Sequence, residues 1–420
     1  MIKRLAIITV HASPLALLGT GKAGGMNSYL RALSAEFGKR GMAVDIFTRR
    51  ISTDEPEIDC SIGENVRVIR VNAGPLGELS PEAIYPHLSQ FTAGVIAFTT
   101  RQALAYELIY THYWLSGWVG DKLSEVWGTP FVHMYHTLGH MKNRITDQKY
   151  PILPDVRIRT ETDITRQAHR LIAATPAEQA QLLWLYRADR RKISIASPGV
   201  DLNNFHPIDE AEAKAFTGVP ADKKLLLFVG RPEPLKGVDS ILDALALIRQ
   251  QDTELFQQLL FGIIGGNPDD PADAEVQRLR RRVADLQLEA SVIFMGPQNQ
   301  KRLPYYYASA IALIMPSDYE SFGMVALEAM ATGTPVIASE VGGLQYLVKD
   351  GLTGYLTPVR NPAALAENIT DLLQNPAKHH EMRIAAATWA HQYAWDFIAD
   401  QLITIFNEVL AQPYTNRRKN

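Results

Sequence analysis

Asp318-Tyr-Glu-Ser-Phe-Gly-Met-Val-Ala-Leu-Glu328-Ala-Met follows the apolar run 311–315, and the change of pattern between them decides the fold. The run reads as a buried strand that Pro316 and Ser317 end. From Phe322 the spacing becomes helical, with Val325, Leu327, Ala329 and Met330, and Gly333 closes it. Two carboxylates therefore flank a strand-to-helix turn, Glu320 in the turn and Glu328 inside the helix. Backbone N–H groups at Phe322, Gly323 and Met324 are expected to lack partners at the helix start, where the dipole favours anions. Gly323 lets a ligand approach the backbone. An acid for hydroxyl groups beside free N–H groups for phosphate suits a sugar-phosphate ligand. Two exposed acids on a helix are a common alternative, so the rest of the chain decides.

Working outward, a second loop carries charge of the opposite sign. Gly230-Arg-Pro-Glu-Pro-Leu-Lys-Gly237 follows the strand 225–229. Arg231 and Lys236 then sit at a strand C-terminus, where ligands bind in such sheets. Two cations there can neutralise a departing diphosphate. The Gly-Lys-Ser/Thr order of a Walker loop is absent. Further strands are expected at 261–264, 292–295 and 336–339, with amphipathic helices between them.

The N-terminal half repeats the plan without repeating the sequence. The run 5–10 is continuous and apolar, as a strand buried on both faces should be. Gly19-Thr-Gly-Lys-Ala-Gly-Gly25 is a glycine-rich loop, and Met26, Tyr29, Leu30, Leu33 and Phe37 share one helical face. Strands are expected at 44–48, 66–71, 108–111, 131–135, 171–174 and 193–196. Ser197-Pro-Gly-Val-Asp-Leu-Asn-Asn-Phe-His-Pro207 breaks the pattern and reads as a linker. The expected architecture is α/β, with two Rossmann-like, doubly wound domains facing a central cleft. One covers residues 1–200 and the other 208–395, with a terminal helix, 396–420, packing back on the first.

Composition narrows the class. The 420 residues exceed a single core, and 46% hydrophobic with 21% charged residues is ordinary for a globular protein. A net charge of −3 gives no reason to expect nucleic acid or an anionic membrane. One cysteine, Cys60, excludes an internal disulfide and any multi-cysteine metal site. No apolar run reaches membrane-span length, so a cytoplasmic location is expected. Asp45 lies inside its strand rather than at its end, which argues against a dinucleotide such as NAD.

Three further clusters carry candidate site residues, two of them at strand ends. Thr111-His-Tyr-Trp-Leu-Ser-Gly117 presents Tyr113, which could equally be an ordinary half-buried aromatic. Phe131-Val-His-Met-Tyr-His136-Thr137-Leu-Gly-His140 holds three histidines and raises the question of zinc. An odd separation on a strand puts His133 and His136 on opposite faces, so no metal is expected. Arg157-Ile-Arg-Thr-Glu161 precedes a helix pattern leading to Leu171 and could be a solvated helix face.

Glu320 and Glu328 with seven residues between them, and Ser-Phe-Gly after the first, resemble the donor-site signature of family-4 retaining glycosyltransferases, which have the GT-B fold. The resemblance runs from His11 to about Gly354. It implies that Glu320 meets the donor sugar hydroxyls, Glu328 the ribose diol, and Arg231 with Lys236 the diphosphate. Gly25, Phe322, Gly323 and Met324 would complete the donor site. His136 would mark the catalytic centre, with its carbonyl towards the anomeric carbon. Asn27, Tyr113, Thr137 and Arg157 would line the acceptor site, Arg157 gripping an acceptor phosphate. The nearest groups are the sucrose-phosphate synthases and the mycothiol-pathway transferase that acts on inositol phosphate. Both carry a lysine where Pro81 stands here, so a phosphorylated acceptor would need another cation, such as Arg101.

The expected activity is transfer of glucose from UDP-glucose to fructose 6-phosphate, giving sucrose 6-phosphate. Inositol phosphate, free fructose or a glycan are alternative acceptors, and an epimerase, a phosphorylase or a nucleotide-sugar sensor are alternative classes. No cofactor is expected. A metal is not required, with magnesium at most stimulatory, and the chain is expected to be a monomer or homodimer.

Overall fold

In this computed structural model residues 2–16, 24–145 and 155–412 are described. Most of the glycine-rich loop before Gly24 and the basic tail 416–420 lie outside them. The chain divides into two compact units, one of residues 2–16, 24–145, 155–198 and 395–412, the other of residues 199–394.

The first unit is an eight-stranded sheet built from β1 (Arg4–Ile8), β2 (Ala43–Arg49), β3 (Ile58–Asp59), β4 (Val66–Val71), β5 (Leu108–His112), β6 (Phe131–Met134), β7 (Arg170–Ala173) and β8 (Ile193–Ile195). Its order is β3-β4-β2-β1-β5-β6-β7-β8, parallel except where β3 meets β4. The second unit has β9 (Lys224–Val229), β10 (Leu259–Ile264), β11 (Val292–Gly296), β12 (Ala310–Met315), β13 (Val336–Ser339) and β14 (Gly354–Thr357) in the order β11-β10-β9-β12-β13-β14, all parallel. Both sheets reverse direction of growth once, between β1 and β5 and between β9 and β12. In open α/β sheets the crevice at such a switch point, outside the strand C-termini, is where ligands bind.

The central strands form because they are buried on both faces. Leu5 to Ile8 of β1 and Leu225 to Leu227 of β9 are fully buried, each large side chain contributing about 1.5–3 kcal/mol. Two strands escaped sequence reading. β3 has only two residues, and β14 begins at Gly354 with few apolar residues to mark it. Asp45 sits in mid-strand as expected, buried, bound to the Arg67 guanidinium at 2.7 Å and to the Tyr106 hydroxyl at 2.7 Å.

The helix Trp395–Leu410 belongs to the first unit. Phe406 packs on Phe37 of the helix Gly25–Lys39, with ring centroids 5.8 Å apart, and Asp400 pairs with Arg40 at 2.7 Å. Residues 413–420 of the expected terminal helix lie outside the described residues.

Candidate active site

In the second unit the loops after β9 and β12 meet at the switch point. Lys236 Nζ lies 2.6 Å from Glu320 Oε2. Burial alone would lower the lysine's pKa, but the facing carboxylate outweighs it and holds the ammonium above its usual range. Gly237, at φ +69°, makes the close approach possible: a Cβ there would stand 2.1 Å from the Pro316 carbonyl oxygen. Arg231 is half exposed and 3.4 Å from Glu233.

The helix after Glu320 runs Met324–Ala331, starting two residues later than the apolar spacing suggests. Gly323 is its N-cap at φ +102°, with no side chain capping it. Phe322 therefore precedes the helix, its buried ring 6.0 Å from that of Tyr393. The first N–H to close an intrahelical bond is that of Leu327, to the Gly323 carbonyl. The N–H groups of Met324, Val325 and Ala326 are thus the ones the helix leaves over.

Glu328 is half-buried, and its Oε2 accepts from the Tyr307 hydroxyl at 3.0 Å. Burial pushes its carboxyl up to about 7 against the opposing effect of that bond. Gly342 and Gly343 were missed by sequence reading although Val341-Gly-Gly-Leu344 follows a strand as the other site loops do. A Cβ on Gly342 would fall 1.8 Å from the Glu320 carbonyl oxygen, and Gly343 N–H donates to that oxygen at 3.0 Å. The pair shapes the Glu320 loop.

In the first unit the site gathers at the ends of β1, β5 and β6. Tyr113 and His136, just past β5 and β6, both adopt left-handed backbone, at φ +74° and +60°. Such a conformation costs a non-glycine residue about 1–2 kcal/mol. Arg157 holds the two turns together. Its Nη1 donates to the Tyr113 hydroxyl at 3.0 Å, and its Nη2 to the Thr137 carbonyl at 2.9 Å and hydroxyl at 3.2 Å. Its Nε donates to Glu161 at 2.8 Å. Arg157 is 2% exposed and Glu161 fully buried. The Tyr186 hydroxyl and the Gly139 N–H also donate to Glu161. Burial lowers the guanidinium's pKa, but the Glu161 carboxylate opposes this and the net shift is upward.

The structure thus brings Arg157, Tyr113 and Thr137 into one network and places Glu161 and Tyr186 behind it. Glu161 was visible as the partner four residues from Arg157; Tyr186 had no signal. The His11 ring lies 4.4 Å from that of Tyr113. Gly25 is the first residue of its helix. Asn27 is nearly buried, its Oδ1 accepting from Gly24 N–H at 2.9 Å and its Nδ2 donating to the Ser13 carbonyl at 2.8 Å.

Two expectations change. β6 ends at Met134, so strand alternation does not reach His136; its left-handed turn aims the ring at His112 instead. His133 bonds Thr111 and His140 packs on Tyr186, so the three histidines face different partners. Among the described residues no three His, Cys, Asp or Glu side chains gather as a metal site would need. Arg101 does not replace the missing lysine at Pro81. It ends the helix Leu88–Arg101, about 20 Å along the axis from Leu88, and pairs with Glu57 at 2.5 Å. A cavity of about 610 Å³ beside Trp118, Lys122 and Arg159 is lined by none of the candidate residues.

Comparison with known proteins agrees with this geometry. Residues 24–199 match the family model "Glycosyl transferase 4-like domain" and residues 209–389 match "Glycosyl transferases group 1". The chain is 38% identical to the D-inositol 3-phosphate glycosyltransferase of Streptomyces scabiei over 97% of its own length and 92% of that protein's. It is 38% identical to the protein of the same name from Acidothermus cellulolyticus, covering 98% and 92%. Among solved structures it resembles sucrose-phosphate synthase from Thermosynechococcus elongatus, with a TM-score of 0.87, 33% identity and 97% and 99% coverage. Anabaena HepE in complex with UDP-glucose shares the fold, with a TM-score of 0.75, 21% identity and 97% and 100% coverage. No helix among the described residues is long and apolar enough to cross a membrane. With two parallel α/β units, family models matching both and relatives alike along nearly the whole chain, the protein is an enzyme of the family-4 retaining glycosyltransferases, of GT-B fold.

Proposed function

We propose that the enzyme transfers glucose from UDP-glucose to a small phosphorylated acceptor. The second unit holds the donor. The diphosphate takes the Lys236 ammonium, with Arg231 beside it, and leaves the Glu320 carboxylate to the sugar hydroxyls. Gly323 and the leftover N–H groups from Met324 onward add donors without charge. Glu328 takes the ribose diol. The bond from the anomeric carbon to the diphosphate breaks, and the acceptor oxygen forms its bond on the same face. The acceptor's proton passes to the departing phosphate oxygen. Lys236 and Arg231 stabilise the charge that develops there, so the step calls for no metal.

The observation that carries the acceptor reading is the Arg157 network. Arg157 donates to the oxygens of Tyr113 and Thr137, which turns both hydroxyl protons outward, with a cation behind them. Thr137 is only half-buried, so it is the open end of this set. Two hydroxyl donors backed by a guanidinium suit a phosphate, without the lysine that Pro81 replaces.

Two acceptors fit. Fructose 6-phosphate, giving sucrose 6-phosphate, is favoured by the likeness to sucrose-phosphate synthase at 33% identity. D-inositol 3-phosphate is favoured by the relatives at 38% identity. UDP release from UDP-glucose, with each acceptor in parallel and the product's anomeric configuration read by NMR, decides between them. Release with one acceptor and retained configuration supports the reading. Conversion of the nucleotide sugar with no acceptor present would replace it with an epimerase.

A further inference from the structure

His112 is the last residue of β5, and His136 stands two residues past β6. His112 Nδ1 lies 2.9 Å from His136 Nε2. A hydrogen bond between two ring nitrogens uses one proton, and which ring supplies it sets the tautomer of both. Both rings are neutral: burial holds His112 far below the ordinary histidine range and His136 at about 3.

The surroundings of His112 decide the direction. It is fully buried, and its Nε2 has no hydrogen-bond partner. The Tyr110 ring stands 4.2 Å away and the Tyr29 ring 5.6 Å away, both edge-on. The hydroxyls of those two tyrosines are bonded to each other at 2.8 Å. His133 is engaged with Thr111. If His136 donated, His112 would carry its proton on Nε2, as a buried N–H without an acceptor. That is the rarer compromise in folded proteins. If His112 donates from Nδ1, Nε2 keeps only an unfilled lone pair.

We infer that His112 is a positioning residue: it donates from Nδ1 to His136 Nε2 and thereby fixes the proton of His136 on Nδ1, the ring nitrogen left for a ligand. The left-handed backbone of His136 and the edge of Tyr29, 5.2 Å from its ring, keep the imidazole in this pose. The ligand then meets a hydrogen-bond donor at Nδ1, which a sugar hydroxyl oxygen can accept. This rests on the reading of His136 as part of the catalytic centre.

The test is long-range proton–nitrogen NMR of the histidine rings in the full chain, with two variants. His112→Asn keeps an amide donor close to the position of Nδ1, and His112→Phe keeps the ring shape without a donor. The expected result is His136 protonated on Nδ1 in the wild type and in His112→Asn, which retains most of its turnover. In His112→Phe the tautomers should mix and kcat fall about 10–100-fold, with the KM for donor little changed, as when an orienting partner of a functional histidine is lost. A wild-type His136 protonated on Nε2 overturns the inference, and needs no variant to fold. An unchanged tautomer in His112→Phe also overturns it. A tautomer that shifts while kcat does not upholds the positioning by His112 and instead removes His136 from the catalytic centre.

Discussion

The ends of β9 and β12 in the second unit and the ends of β1, β5 and β6 in the first occupy equivalent places in two sheets of the same winding. Their chemistry differs. The second unit offers a half-buried ion pair, Lys236 with Glu320, on loops that glycines bring close together. The first offers a buried guanidinium whose donors are engaged by Glu161, Tyr113 and Thr137, and two turns held in left-handed backbone. A diphosphate common to many donors needs charge and open N–H groups. A small acceptor that must be placed for attack needs rigid hydroxyls and a fixed cation. On the proposed reading, one topology serves binding strength in the second unit and orientation in the first.

The largest effect should come from the rigid side. Arg157→Ala leaves the Glu161 carboxylate buried without its ion pair, which costs about 3–5 kcal/mol. Urea unfolding should show that loss, and the KM for acceptor should rise far more than the KM for donor. Equal rises in both would remove Arg157 from the acceptor site. Next, Lys236→Ala should lower kcat about 10²–10³-fold, because the charge it meets develops at the transition state. A change confined to the donor's KM would mean the lysine only binds.

A third experiment uses protonation. Glu328 titrates at about 7, raised by burial, and the ribose diol needs it ionised as an acceptor of two hydrogen bonds. UDP affinity should therefore strengthen as pH rises from 6 to 8, and Glu328→Gln should be weaker and flat with pH. Lys236 should add no slope there, since the facing carboxylate holds its ammonium above the usual range. A wild-type affinity flat over that range would separate Glu328 from the ribose. The smallest effect is expected away from both switch points. Asp209 caps the helix Glu210–Thr217 by accepting from Ala211 and Glu212 N–H at 3.0 Å. Asp209→Ala should cost about 1 kcal/mol of stability and leave both KM values unchanged.

How much of this was legible in the sequence follows the same division. Buried parallel strands announce themselves as unbroken apolar runs, so β1, β9, β12 and β13 could be placed within a residue or two. The second unit's site lies on short loops directly after such strands, and there residue type and position suffice: Arg231, Lys236 and Glu320 could be named before their geometry was known. The helix start could not be fixed, because Phe322 suits a helix face as well as a core pocket beside Tyr393. In the first unit the decisive contacts join residues far apart in the chain. Tyr186 reaches Glu161 from the end of another helix and His112 reaches His136 from the neighbouring strand, and no local spacing records either pairing. Left-handed backbone at Tyr113 and His136 was equally hidden, since tyrosine rarely adopts it and the enrichment of histidine there is too weak to mark a position.

The central claim is that the first unit selects its acceptor by phosphate, through Tyr113 and Thr137 backed by Arg157. The most direct measurement is kcat/KM for matched acceptors with UDP-glucose: fructose 6-phosphate against fructose, and inositol 3-phosphate against inositol. The phosphorylated member of the productive pair should be favoured about 100-fold or more, the contribution of two charge-assisted hydrogen bonds. Equal kcat/KM within a pair, or preference for the unphosphorylated member, would contradict the account.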